Sequence, residues 1–266
     1  MSAAPAPNTS NASPPPRVAR LPFGTRVAMF VRLLAIQGAW NYETMLGNGL
    51  GFCLEPALRL LPEGRHSPAF KSALARESRY FNAHPYLAAV AVGALARAEL
   101  DREPPERIER FRTALCGPLG SVGDRLVWAG WLPFCSLFSL GLFGLGAGTL
   151  TVVGVFLLLY NAGHFGLLIW GLHTGWQHGL RVAAGLANPV LRRGPQQIGR
   201  VAALATGAAI PLALGRIIGP GRHLIGGVLV AVALGSLLIV RLKDRIEGWR
   251  LSLVVLAIFV LISVIR

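Results

Sequence analysis

After Asp124 the chain carries acidic residues at only two positions, Asp244 and Glu247. Long apolar stretches fill the intervals, and arginines stand between them. A charge at the centre of a bilayer is costly, so apolar runs of about 20 residues bounded by basic residues predict membrane crossings. Five such runs occur: Leu126 to Leu145, Thr149 to Trp170, Ile198 to Leu214, Leu224 to Val240 and Leu251 to Ile265. The connections holding Arg181, Arg192, Arg193 and Arg200, and then Arg241, Lys243, Arg245 and Arg250, are expected on the cytoplasmic side. That arrangement puts the N terminus inside and the C terminus outside. The chain is 53% hydrophobic and 14% charged, against about 25% charged for a typical soluble domain. A net charge of +14 would suit a nucleic-acid binder. Here the arginines punctuate apolar stretches and do not form one basic face, so no nucleic-acid partner is expected.

The first half is mixed. Residues 1–20 are rich in Pro, Ala, Ser and Asn and predict a disordered tail. Phe23 to Gln37 has Val27, Phe30, Val31 and Leu34 at helical spacing, with Arg26 and Arg32 elsewhere on the turn. This predicts an amphipathic helix at a membrane surface or against a partner. Gly49 to Leu61 is apolar but too short to span. A run from Ala69 to Phe81 reads as helix, Asn82-Ala83-His84-Pro85 as a break, and Tyr86 to Ala98 as a second short apolar helix. The fold class is therefore an all-α integral membrane protein. Broken or re-entrant helices are expected over 21–124, and about five transmembrane helices over 125–266.

Met29 to Phe52 concentrates Gln37, Trp40, Asn41, Tyr42, Glu43 and Asn48 within an apolar setting, followed by Gly47, Gly49 and Gly51. Polar groups removed from water need partners, and the glycines permit backbone that leaves the helix. The stretch reads as the lining of a cavity. Paired short apolar segments beside backbone-breaking motifs are the sequence mark of a transporter binding site. Gly117-Pro118-Leu119-Gly120-Ser121-Val122-Gly123-Asp124 predicts a tight structural loop, with Asp124 either capping the next helix or meeting a substrate or partner. It lacks the pattern of a nucleotide loop. His164, His173 and His178 have no acidic or cysteine companion and, with Trp170 and Trp176, read as an interfacial rim. Cys53, Cys116 and Cys135 read as small apolar residues. No catalytic constellation, metal site or cofactor motif emerges. Gly144 and Gly148 have the spacing of a small-residue packing face.

Three blocks resemble subunit IID of the mannose/fructose/sorbose phosphotransferase permeases. The first is Gln37-Gly38-Ala39-Trp40-Asn41-Tyr42-Glu43, then Met45, Leu50-Gly51-Phe52 and Pro56-Ala57. The second is Glu77 with Phe81-Asn82-Ala83-His84-Pro85-Tyr86. The third is Gly117 to Asp124 with Trp128. The resemblance implies a multi-pass subunit of the bacterial cytoplasmic membrane. It also implies a hetero-oligomer in which subunit IIC shares the path of a hexose-type sugar. Soluble IIA and IIB components would carry the phosphate, which comes ultimately from phosphoenolpyruvate, and this chain would have no phosphorylation site. Gln37, Trp40, Asn41, Glu43, Asn82 and His84 would line the path, or would hydrogen-bond broken helices together. The chain departs from the family at Thr44, where Arg is usual, and at Arg125, where Pro or Ser is usual. Two further residues are inserted between Met45 and Leu50. A divergent member could instead be a non-transporting scaffold or sensor that docks phosphotransferase components.

Overall fold

The computed structural model describes residues 20–62, 64–182 and 189–218, with positions 230, 233 and 234 besides. The expected tail over 1–20, apart from Arg20, lies outside the described residues. So do the expected spans Leu224 to Val240 and Leu251 to Ile265, apart from those three positions. The described residues are helical, with two isolated bridges and no strand among them. They form two compact units: one from residues 20–123 and 165–182, the other from residues 124–164 and 189–218.

In the first unit α1 is Phe23–Leu33, α2 Gly47–Leu58, α3 Pro68–Glu77, α4 Ala88–Leu100 and α5 Pro105–Gly123. The end of α7, Thr149–His178, from Phe165 onward, also belongs here. α4 reads AAVAVGALARAEL, and every residue but Arg97 is buried. A helix apolar all round belongs in a core, and each fully buried Leu such as Leu95 stabilises by about 1.5–3 kcal/mol. Small residues set how closely it packs. A Cβ on Gly93 would lie 2.3 Å from the Leu172 carbonyl oxygen, and one on Gly175 would lie 2.1 Å from that of Val90. α4 and the end of α7 therefore cross backbone to backbone.

α2 contains Pro56, which cannot donate a hydrogen bond to the Phe52 carbonyl four residues earlier. Arg32 of α1 takes the vacant place, its Nη1 donating to that oxygen at 2.7 Å and to Glu55 Oε2 at 2.8 Å. α3 starts where Ser67 Oγ accepts from the Phe70 amide at 3.0 Å, with Pro68 at the first helical position. α1 turns Met29 and Leu33 inward, with Ile36 just beyond its end. Much of the stripe expected to mark its apolar face stays exposed: Val27 by 43%, Val31 by 56% and Leu34 by 47%, together with Phe23 by 75%.

The second unit holds a π-helical stretch Asp124–Trp131, α6 Leu132–Gly144, the first half of α7, and α8 Pro189–Ile218. α6 and α8 pack closely. A Cβ on Gly144 would lie 2.5 Å from Leu212 atoms, whereas Gly148 faces open space, so only one of the two expected packing glycines is used. Arg216 donates to the Ala147 carbonyl at 2.9 Å and to that of Phe143, and lies over the Phe143 ring.

Three helices among the described residues are long and apolar enough to cross a membrane: Pro105–Gly144, Thr149–Arg181 and Arg193–Ile217. On α7, Leu150 is 90% and Leu158 71% exposed. A helix this apolar and this exposed needs a solvent other than water. The expected loop at Gly117, Pro118, Gly123 and Asp124 is corrected here. Helix runs unbroken from Pro105 through Gly144, so Gly117, Pro118 and Gly123 lie inside α5 and Asp124 begins the π stretch without acting as a cap. Packing of the stripe Ile108, Leu115 and Leu119 outweighs the weak helix preference of Gly and Pro. Pro133 cannot donate to Ala129, and the ladder widens to π spacing just before it.

Candidate functional site

The turn before α2 is built by Asn41. Its Oδ1 accepts from the Glu43 and Thr44 amides, each at 2.9 Å, and its Nδ2 donates to Thr44 Oγ1 at 2.9 Å and to the Ala39 carbonyl at 3.2 Å. This is an Asx turn with every donor and acceptor of the side chain engaged locally. Met45 follows with φ of 51°, the left-handed region that non-glycine residues seldom enter. Its amide donates to the Asn41 carbonyl at 2.8 Å.

The turn is then tied to the second motif. The Phe81 amide donates to the Thr44 carbonyl at 3.1 Å, and the Leu46 amide to the Phe81 carbonyl at 2.9 Å. Phe81 is fully buried. The glycines after the turn are helical and do not form the expected departure from helix: they let α2 seat directly on its neighbours. A Cβ on Gly47 would lie 2.0 Å from the Arg79 carbonyl oxygen, one on Gly49 1.8 Å from that of Ile36, and one on Gly51 2.2 Å from Ser78 Oγ.

His84, three residues past Phe81, is buried. Its Nδ1 accepts from the Tyr86 amide at 3.2 Å, and its ring meets the Tyr86 ring edge-on at 5.1 Å. Gly123 of α5 lies against it: a Cβ there would sit 2.2 Å from His84 Cβ. All three motif blocks thus converge, the first on Phe81 and the third on His84.

A charged frame lies beneath them. Arg112 Nε is 2.9 Å from Glu77 Oε2, with side chains 6% and 0% exposed. Arg112 Nη2 also donates to the carbonyls of Glu77 and Arg79 at 3.1 and 3.0 Å, satisfying the end of α3. Its guanidinium lies 5.7 Å from the centre of the Phe81 ring. Arg76 holds Glu99 with both carboxylate oxygens, at 2.8 and 2.7 Å from Nη2. Burial pushes the Glu77 carboxyl well above its ordinary range. Arg112 opposes that shift, and the neighbouring Glu99 carboxylate adds to it. The charged run from Glu99 to Arg112 has the composition of a water-exposed helix, yet Arg112 is buried. The signal was there: Arg112 falls in register with Ile108, Leu115 and Leu119, on the buried stripe.

Among the expected site residues, His84 is buried and Asn41 half-buried, both tied into the frame; Gln37, Trp40, Glu43 and Asn82 are exposed. Trp40 and Tyr42 meet edge to face at 4.8 Å, with Tyr42 85% exposed. The arrangement presents two rings and several polar groups on a rigid mount. A cavity of about 1090 Å³ elsewhere in this unit is lined by other residues.

Residues 21–216 match the family profile described as "PTS system mannose/fructose/sorbose family IID component". The chain is 28% identical over 171 residues to the "PTS system mannose-specific EIID component" of Escherichia coli K12, covering 62% of this chain and 59% of that relative. It is 30% identical over 180 residues to the "PTS system sorbose-specific EIID component" of Klebsiella pneumoniae, covering 64% and 62%. With the "Fructose permease IID component" of Bacillus subtilis 168 it shares 29% over 170 residues, covering 60% and 59%. The matches thus span less than two thirds of these relatives' length. A solved "Structure of membrane protein" superposes with a TM-score of 0.62 at 25% identity, over 71% of this chain and 70% of that one. The cryo-EM structure of the mannose transporter ManYZ with microcin E492 superposes with a TM-score of 0.56 at 21% identity, over 91% and 94%, and so shares the fold.

Proposed function

This chain belongs to the mannose/fructose/sorbose family of phosphotransferase-system IID components, and from that premise we propose that it is the membrane subunit that, with subunit IIC, forms the path of a hexose-type sugar. In this reading the chain does no phosphoryl transfer. The soluble IIA and IIB components deliver phosphate to the sugar at the cytoplasmic face, and the N terminus lies on that side.

One observation carries the reading. The Trp40–Tyr42 pair, Gln37, Glu43 and Asn82 stand exposed on a turn anchored by Asn41 and Phe81. A sugar is held by an aromatic face and several polar groups. Here those groups face outward, as they would where a second chain closes the path. Asn41 and His84 hold the mount, so the two roles expected of these motifs divide between residues. The test is phosphoenolpyruvate-dependent sugar phosphorylation by membranes containing the partner components, with and without this chain. Loss of phosphorylation on deletion supports transport. Unchanged phosphorylation assigns the chain to a scaffold role instead.

A further inference from the structure

The first unit contains a cavity of about 1090 Å³ between α1 and the end of α7. Its basic residues are Arg20, Arg26, Arg97, His173 and His178, and among the described residues no carboxylate lines it. Arg97 is neutralised: its Nε donates to Asp101 at 2.7 Å and its guanidinium lies over the Trp176 ring at 5.2 Å. Arg20 and Arg26 form no ion pair among the described residues, and both are exposed. Apart from Gln177 the remaining wall is apolar, with Phe23 and Val27 of α1, Phe30, and Ile169 of α7. Phe23, Val27 and Ile169 are 75%, 43% and 58% exposed, so the wall continues into the uncovered stripe of α1.

An acid-free, arginine-bearing cavity is complementary to an anion, and guanidinium suits phosphate oxygens in particular. A long apolar wall beside it is wasted on a small soluble anion but fits an acyl chain. An amphipathic helix with arginines above an apolar stripe has the composition of one lying at the headgroup level. We propose that this cavity binds one anionic phospholipid. Its phosphate would sit between Arg20 and Arg26, and an acyl chain would lie along Val27, Phe30 and Ile169. Basic pockets beside membrane helices recognise lipid headgroups in this way.

The experiment uses the full-length protein, delipidated in a neutral detergent. It is offered equal amounts of dioleoylphosphatidylglycerol and dioleoylphosphatidylcholine, and retained lipid is counted by native mass spectrometry. We expect one phosphatidylglycerol per chain, retained at least five-fold over phosphatidylcholine. The preference should fall below two-fold in the R20Q/R26Q double variant and persist in R20K/R26K. Should the glutamine variant not accumulate, competition on the unaltered protein decides the matter: tenfold excess glycerol 3-phosphate leaves the lipid adduct in place. Equal retention of the two lipids overturns the proposal, as does undiminished preference in R20Q/R26Q. Displacement by glycerol 3-phosphate would make the occupant a soluble anion and also overturn it. A photocrosslinker at position 27 that captures only polypeptide in cell membranes would do the same.

Discussion

Arg112 and Glu77 meet at 2.9 Å in the interior of the first unit, and the same guanidinium donates to the carbonyls of Glu77 and Arg79. One side chain of α5 thereby closes the end of α3 and supports Phe81, on which the turn before α2 is hung. Breaking a buried ion pair by removing one partner typically costs about 3–5 kcal/mol. Arg112→Ala is therefore expected to abolish accumulation of folded protein. Arg112→Lys should not rescue it, because a single ammonium lacks the planar spread of donors needed to reach the carboxylate and two carbonyls together. Detergent-solubilised yield and size-exclusion profile measure both.

The Glu77 carboxyl predicts a pH dependence. Its proton is held more tightly folded than unfolded, because burial disfavours the charge. The associated stability is fully present below the ordinary value of 4.5 and is lost as pH rises towards the raised folded value. Glu77→Gln mimics the protonated form. It is expected to flatten the decline in apparent melting temperature above pH 4.5. Thermal scans at fixed rate across pH 4–8 decide; an unchanged slope would exclude Glu77 as its source.

Gly123→Ala should be poorly tolerated, since its new methyl would sit 2.2 Å from His84 Cβ. Overpacking of this kind costs about 1–3 kcal/mol. Combining it with His84→Gly, which removes the opposing Cβ, should recover part of the loss. Melting temperatures of the single and double variants measure the coupling, and strict additivity would refute it.

The exposed and anchored residues of the first motif should separate in assay. Trp40→Ala and Glu43→Gln are expected to leave the melting temperature within experimental scatter while raising the apparent KM for sugar several-fold. Asn41→Ala, which removes an Asx turn, should lower stability by about 1 kcal/mol, as for loss of a helix cap. A normal KM in both exposed variants, at normal membrane abundance, would remove the motif from the sugar path.

Much of this fold was legible because membrane helices and α4 advertise themselves through unbroken hydrophobicity. The three motif blocks also identified the family. What was not legible depended on partners distant in sequence. Gly117 to Asp124 has the composition of a turn, yet it is helical because one of its sides packs inward. Arg112 looked like a solvated charge until α3 supplied Glu77 and two open carbonyls. The α1 stripe was visible as apolar, but nothing local could say that Met29 and Leu33 would be buried while Val27 and Val31 stayed out. In Asn41 the binding role and the structural role were indistinguishable from residue type alone. The turn geometry shows its structural contacts. Thr44, a departure from the family pattern, is part of that turn through Asn41 Nδ2.

The glycines at 47 and 49 touch neighbouring backbone at distances that leave no room for even a methyl group. No natural side chain is intermediate in size between hydrogen and methyl, so this contact has no graded route of change. Substitutions elsewhere in the core can be absorbed one methylene at a time by neighbours that shrink as a residue grows. At these positions a change in sequence must arrive together with a shift of the whole helix, which makes the seat of α2 a fixed datum around which the exposed turn can vary.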